Sequence, residues 1–483
     1  MNLREKAVSG VKWTTISILS RALFQLLQVS ILTRFLAAEA FGLVAMALFV
    51  VQFSNIFVDM GLNSAILHHQ FATKNEYSSI YWLNIIISII LYCAIFLLTP
   101  FISRFYNEVE LISLIPILGT NILLIAIGRQ HRTIMQKQFQ FKSIAVTEVI
   151  SLAFGLSLAI VLALNNFGIY SLVYSTLLAS FISNCLFLGL NLRINPISLR
   201  FKLNDTKPFL KIGGYRMGSS ILDFFSRETD VLIIGKVLGA ESLGIYSLAK
   251  QIVLRLYSII NPIILSVLSP ILSSIQSEKT RVKSYYLKVV YLLATLNFPI
   301  YLLIVILSKE ILHILYGADY ISGYIVLSFL AISYATNTIN NPVGSLQIAT
   351  GRTDIGFKWT VIHISIIPSI IFLAAQININ TVAAALALTS IGLMFPLWWI
   401  QLRPMANIKL KEYINQYFKP YLLLLIIATS FIFIEEYIDD SLGVVLSVII
   451  KGVSGLSIFL FFLWIIDKKR IINLYDLVKK RNS

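Results

Sequence analysis

Cysteine is nearly absent from this chain. There are two in 483 residues, Cys93 and Cys185. Both lie inside apolar runs, which excludes a disulfide framework and a cysteine-built metal site. Charge is also scarce, at 13% of residues against about 25% in a soluble globular protein. Acids are scarcer still, with 23 Asp and Glu against 39 Lys and Arg and a net charge of +16. What is abundant is apolar: 57% of residues are hydrophobic and the mean hydropathy is +0.82. That balance belongs to a chain embedded in lipid. Excess positive charge on such a chain has two readings, nucleic acid or cytoplasmic loops facing anionic lipid, and its position along the sequence decides between them. The first apolar run begins after Lys12, is long enough to span a bilayer, and is followed by no small-residue cleavage site. It is expected to be a membrane helix and not a cleaved signal.

Runs of roughly 20 mostly apolar residues fall at about 13–35, 41–66, 79–103, 109–128, 143–164, 168–190, 208–235, 241–270, 285–307, 321–348, 358–377, 381–402, 418–436 and 442–466. The expected fold is therefore an all-α integral membrane protein with fourteen transmembrane helices, and an even number puts both termini on one side. The N-terminus, every second connection after it and the C-terminus hold 29 of the 39 basic residues, whereas the opposite connections hold Arg34, Arg104, Lys236 and Lys309. This bias predicts cytoplasmic termini in a multi-pass plasma membrane protein. It also makes the charge topological and removes nucleic acid as a partner.

A short pattern is written twice. "RFLAAEAFGLVAMA" starts at Arg34 and "KVLGAESLGIYSLA" starts 202 positions later at Lys236, with Leu36, Ala38, Glu39, Gly42 and Ala47 recurring as Leu238, Ala240, Glu241, Gly244 and Ala249. Each copy sits at an outer turn leading into an even-numbered span. Glu39 and Glu241 stand where a helix begins, complementing its dipole. Gly42 and Gly244 are expected to let the two helices of each hairpin approach closely. Six helices separate the copies, so two parallel six-helix bundles related by a pseudo-twofold axis along the membrane normal are expected, at 1–200 and 201–410, followed by two further helices and a cytoplasmic tail at 411–483. "FQFK" from Phe139 and "IGFK" from Ile355 echo the same duplication. Internal repeats of this kind are a plan of secondary transporters, with the substrate path between the halves.

Several spans carry polar residues that lipid does not favour. Arg216, Asp223, Arg227 and Asp230 share one face of span 7. Shifted back by 202, the last three land on Arg21, Gln25 and Gln28 of span 1. Span 2 adds Gln52, Asn55, Asp59 and Asn63, and span 8 adds Lys250, Gln251, Arg255 and Ser258. Each ionisable group at bilayer depth costs about 2.5–3.5 kcal/mol on insertion scales. A stripe of them therefore implies either buried ion pairs, such as Arg227 with Asp223 or Asp230, or a water-filled cavity. The reading favoured is a cationic cavity walled by spans 1, 2, 7 and 8. In it Arg21, Arg216, Arg227, Lys250 and Arg255 receive an anion, and Gln25, Gln28, Asn55, Asp59, Asp223, Asp230 and Gln251 line the wall. Arginine suits phosphate through its planar donor fork.

Other polar residues read as structural. His68 and His69 are interfacial, and Glu148 and His363 make helix-packing hydrogen bonds. Lys451 snorkels or faces the bundle, and Trp398–Trp399 anchors an interface. Asn337, Asn340 and Asn341 before Pro342 predict a kink. "IGGYRMG", ending at Gly218, is not a phosphate loop, since no strand precedes it and the lysine is missing.

The duplicated motif, with "LKIGGYRMGSSILDFFSRETDVLIIGKVLGAESLGIYSLAKQI" from Leu210 and "LQIATGRTDIGFK" from Leu346, resembles the polysaccharide-exporter family of the MOP superfamily (multidrug, oligosaccharidyl-lipid and polysaccharide exporters). Within it the likeness is to the O-antigen flippase branch with colanic-acid and teichuronic-acid exporters. It covers nearly the whole chain. The resemblance implies a V-shaped two-lobe flippase that moves a polyprenyl-diphosphate-linked oligosaccharide across the inner membrane by alternating access, through a cationic cavity. It implies no cofactor and no catalysis. Coupling to Na⁺ or H⁺ is open, with Asp59 the candidate. Membrane lipid and other polysaccharide-assembly proteins are the further partners. A multidrug or organic-ion exporter of the same superfamily is the alternative, although its cavity is expected to be acidic or apolar. A glycan polymerase or ligase ranks below both, because every outer connection is short and the first, "AAEAF", holds one carboxylate.

Overall fold

The computed structural model describes residues 3–68, 72–434 and 444–479, with the side chains of 3–9, 64, 68, 212, 215–216, 263, 266–267, 432–434, 444–445 and 466–479 outside that description. Among the described residues every regular element is a helix. The chain divides into two compact units, Met1–Ser247 and Leu248–Ser483.

The first unit holds α1 (Leu3–Leu32), α2 (Ala38–Asp59), α3 (Leu62–His68), α4 (Lys74–Tyr106), α5 (Leu111–Lys137), α6 (Phe141–Leu164), α7 (Tyr170–Leu192) and the first part of α8 (Leu203–Ser274). Within it α1 packs on α6, α6 and α5 on α7, and α2 and α4 on α5. The second unit holds the rest of α8, then α9 (Lys279–Ile306), α10 (Ser308–Tyr316), α11 (Tyr324–Asn340), α12 (Val343–Thr350), α13 (Thr353–Ala375), α14 (Ile379–Gly392), α15 (Met394–Leu397), α16 (Arg403–Ala406), α17 (Leu410–Ile434) and α18 (Val444–Lys479). There α9 packs against α11, α17 and α18, and α14 against α11 and α13.

Twelve stretches among the described residues are long and apolar enough to cross a membrane. Two of the expected spans account for the difference from fourteen. The stretch Met217–Pro262 runs 46 residues, which would be roughly 70 Å of straight helix against a hydrocarbon core of about 30 Å. It is broken at Gly239, whose φ of 82° is outside the helical region, so two helices meet there. The other is α17, whose last side chains, 432–434, lie outside the description, and which is not among the twelve.

Local signals explain the ends. Thr73 and Glu76 form a capping box at the start of α4, with Glu76 N–H donating to Thr73 Oγ1 at 3.3 Å and Thr73 N–H to the Glu76 carboxylate at 2.7 Å. Glu39 stands in the first turn of α2 as its dipole requires. Positive φ at Met60 and Gly61 closes α2. The break expected at Pro342 is present, since α11 ends at Asn340 and α12 starts at Val343.

The first unit runs to Ser247 and so holds the first stretch of α8 together with α2. A Cβ placed on Gly42 would overlap the Ala240 carbonyl, and one on Gly244 would overlap the Ala38 carbonyl. The repeated glycines therefore bring the two copies against each other, not the two helices of one hairpin as the sequence suggested. Farther along, Phe49 and Phe53 meet Phe224 at ring distances of 5.1 and 5.6 Å, and Phe53 meets Phe225 at 5.4 Å. At the opposite end Gly61 abuts Gly213, where a Cβ on either would strike backbone. The helix α2 is thus antiparallel to the first stretch of α8 along its whole length.

Candidate functional site

A carboxylate surrounded by arginines lies inside the first unit. Ser17 and Arg21 are four residues apart on α1 and so share a face, Arg132 comes from α5, and Glu148 from α6. Arg21 Nη2 lies 2.9 Å from Glu148 Oε1. Arg132 donates to the same oxygen from Nη2 at 2.9 Å and from Nε at 3.1 Å. The Ser17 hydroxyl donates to Glu148 Oε2. The glutamate is buried, 7% exposed, while Arg21 and Arg132 are 48% and 42% exposed. Burying a lone carboxylate costs several kcal/mol, and here two guanidiniums and a hydroxyl satisfy it.

This corrects two sequence expectations. Glu148 is the hub of an ion-pair cluster and not a lone packing residue. Arg21 is compensated, because its partner stands on a helix far away in sequence. The cluster still has two cations for one anion, so it keeps an excess positive charge, and each arginine retains N–H donors that Glu148 does not take.

A second link extends it. Arg129, one turn before Arg132 on α5, has Nη1 3.7 Å from Asp59 Oδ1. Asn63 donates to that same Asp59 oxygen, and Thr133 Oγ1 donates to Asn63 at 2.6 Å. In the sequence Arg129 and Arg132 lie past the apolar run that ends at residue 128, and both read as loop charges. Helix α5 continues to Lys137. Its 27 residues extend roughly 40 Å, past the hydrocarbon core, so its arginines approach headgroup depth. The spacing "GRQHR" on a continuing helical period was the available signal.

Other predicted residues fall as follows in this unit. Gln28 donates to Ser175 on α7 at 2.8 Å, a helix-to-helix tie. Gln25 is exposed on α1, and Asn55 donates to the Val51 carbonyl of its own helix at 3.0 Å. Asp223 and Arg227 are exposed on α8. Asp230 is buried and accepts from the Tyr246 hydroxyl at 2.6 Å and from Val231 N–H at 2.8 Å, fastening the turn at Gly239. The Arg216 side chain lies outside the described residues, as do His68 and His69. Beside the second copy of the repeated turn, Glu108 accepts from Ala240 N–H; burial holds its carboxyl above the ordinary value, the hydrogen bond opposes this, and Glu110 and Glu39 add to it.

The second unit holds Lys250, Gln251 and Arg255. Lys250 is buried, and Arg255 Nη2 donates to Gln251 Oε1 at 3.1 Å one turn away. Lys451 does not snorkel: its ammonium is 2.6 Å from Glu310 Oε1, both side chains are buried, and Ser447 also donates to Glu310 at 2.6 Å. The tryptophan pair is split. Trp398 is buried with its indole N–H on the Ile408 carbonyl at 2.8 Å, whereas Trp399 is exposed under the Arg403 guanidinium at 4.5 Å. His363 packs beside Trp359. No group of three or more metal-ligating side chains occurs among the described residues.

Comparison with known proteins agrees with this architecture. The chain is 29% identical over 425 residues to the teichuronic acid biosynthesis protein TuaB of Bacillus subtilis, covering 87% of each chain. It is 27% identical to the lipopolysaccharide biosynthesis protein WzxC of Escherichia coli, covering 88% of this chain and 86% of that one. In fold it is similar to the lipid II flippase MurJ in an inward closed conformation, with a TM-score of 0.73 at 14% identity over 95% of this chain and all of that one. An inward-facing multidrug transporter of the MOP superfamily follows at 0.60 and 16% identity, covering 80% of this chain and 98% of that one. The sequence profile described as "Polysaccharide biosynthesis protein" matches residues 31–325. That is more than half of the chain, from the first copy of the repeated turn through Glu148 to the second copy, and the chain belongs to that family.

Proposed function

We propose that this protein is a flippase that carries a polyprenyl-diphosphate-linked oligosaccharide from the cytoplasmic to the outer leaflet, for assembly of a cell-surface polysaccharide. The single observation that supports this most is the Arg21–Glu148–Arg132 cluster. It is a preorganised pair of guanidiniums, half exposed, held by a buried carboxylate and left with net positive charge. A diphosphate offers the oxygen acceptors and negative charge that such a pair takes up through bidentate hydrogen bonds. The family and the flippase fold agree with a lipid-linked glycan as the cargo. The buried glutamate fixes the arginine rotamers before substrate arrives, lowering the ordering cost of binding.

In this reading Arg216, Arg227, Lys250 and Arg255 supply further cations along the path, and both termini are cytoplasmic. The fourteen-helix count, alternation between inward and outward states, coupling to Na⁺ or H⁺ at Asp59, and association with other assembly proteins belong to the same proposal.

Purified protein in vesicles, loaded with a polyprenyl-diphosphate oligosaccharide, tests it through access of the glycan to an external hydrolase. Wild type should expose the glycan with time. The Arg21→Ala, Arg132→Ala double variant should lose this while remaining folded by its unfolding temperature. Equal rates in both proteins would overturn the anion-site assignment. Movement of a cationic dye with no movement of the glycan would favour the multidrug alternative.

A further inference from the structure

The connection between α7 and α8, with the first turns of α8, is strongly basic. Residues 193–211 hold Arg193, Arg200, Lys202, Lys207 and Lys211 against one acid, Asp205. The acid is engaged, accepting from Ser79 Oγ on α4 at 3.2 Å. The five cations are exposed and form no ion pair among the described residues.

The segment is not a loose tether. Trp82 Nε1 donates to the Ser198 carbonyl at 2.9 Å, Ser198 N–H to Ser78 Oγ at 3.0 Å, and Lys202 N–H to Ser79 Oγ at 3.1 Å. All three anchors are on α4. With the backbone fixed at Ser198 and Lys202, the triplet between them projects outward. Leu199 is 93% exposed, more than any other large apolar side chain among the described residues, and Phe201 and Ile194 are exposed as well. A backbone-anchored bulge of apolar, cationic and apolar side chains matches the composition of a membrane–water interface. It begins directly at the end of the candidate span Tyr170–Leu192, which sets it at a membrane face.

We infer that residues 193–202 form an interfacial anchor, in which Leu199 and Phe201 insert into the bilayer surface while Arg193, Arg200 and Lys202 bind anionic phospholipid headgroups. Shallow apolar insertion beside a basic cluster is the physical recipe for such binding, and each Lys or Arg near an anionic surface adds to it. Because α4 holds the backbone, the lipid contact fixes the junction at the start of α8. The inference needs only the membrane placement and is independent of what is transported.

The test uses full-length protein bearing Leu199→Cys with an environment-sensitive dye, in a Cys93→Ala, Cys185→Ala background, in phosphatidylcholine bilayers with and without phosphatidylglycerol. With phosphatidylglycerol the dye should shift to the blue and be quenched by lipid-borne spin labels placed near the headgroups, and not by aqueous iodide. Arg200→Gln with Lys202→Gln should raise the phosphatidylglycerol fraction needed for half the shift by on the order of tenfold, and high salt should act in the same direction. A dye quenched by iodide in both bilayers overturns the anchor. A shift of equal size without phosphatidylglycerol overturns the headgroup assignment. Neither result touches the flippase reading, since no transport is measured.

Discussion

Gly42 lies against the carbonyl of Ala240, and its counterpart Gly244 lies against the carbonyl of Ala38. The relationship is reciprocal, as at a twofold axis, where residue i meets j and j meets i. Any side chain at either glycine would occupy the space of a backbone carbonyl. Gly42→Val and Gly244→Val should therefore each abolish glycan export while the protein stays in the membrane. In a background lacking Cys93 and Cys185, Ala38→Cys with Ala240→Cys should crosslink and arrest export reversibly on oxidation. Full export with a quantitative crosslink would sink the idea that these turns must part during transport.

The arginine–glutamate cluster separates charge from geometry. Arg21→Lys keeps the charge but loses the fork, and should cost about 1.5–3 kcal/mol of substrate binding, on the order of tenfold to a hundredfold in affinity. Glu148→Gln should weaken export through misplaced arginines, and Glu148→Asp should recover part of it. Binding of a lipid diphosphate analogue, followed beside unfolding temperature, distinguishes this from loss of fold.

Lys451 and Glu310 form a buried pair joining α18 to α10. Removing one partner leaves an unpaired buried charge, so Lys451→Met or Glu310→Leu alone should cost about 3–5 kcal/mol, while the double substitution should recover most of that. Scanning calorimetry in detergent reads this directly. If the double variant is as unstable as either single one, the pair is not what holds α18.

The same pair predicts a pH dependence. Burial alone would raise the Glu310 carboxyl, but hydrogen bonds from Lys451 and Ser447 outweigh it and hold it below its ordinary value of 4.5. A depressed carboxylate contributes stability that is present above pH 4.5 and lost as pH falls through the lower folded-state value. The unfolding temperature of wild type should therefore drop on acidification below pH 4.5 more than that of the double variant.

Orientation is testable with single cysteines. Lys74→Cys, Arg200→Cys and Arg403→Cys should be protected from an impermeant thiol reagent in intact cells. Asp439→Cys, at a position outside the described residues, should be labelled. Labelling of the first group would reverse the topology.

Much of this architecture was legible in one dimension because lipid is an unforgiving solvent. Backbone groups in hydrocarbon must be satisfied within a helix, so apolar length alone marks the spans, and the recurrence of Gly42 as Gly244 marks the duplication. The polar stripe on α1 was legible for the same reason, since an arginine at depth needs a cause. Partnership was not. Glu148 reads as a lone acid until α1 and α6 pack, and Arg129 and Arg132 read as loop charges until α5 is seen to continue to Lys137. Lys451 reads equally as snorkelling or as facing the bundle until Glu310 appears 2.6 Å away. Each of these pairs joins residues on different helices, and side-chain ion pairing depends on distances of a few ångströms that helical period cannot supply. The sequence by itself determined that this chain is helical, built of membrane-length apolar runs, and carries one turn motif twice. The tertiary structure decided which charges are spent on holding helices together, and which copy of the repeated turn each glycine touches, because both depend on how the helices pack and not on the order in which they are written.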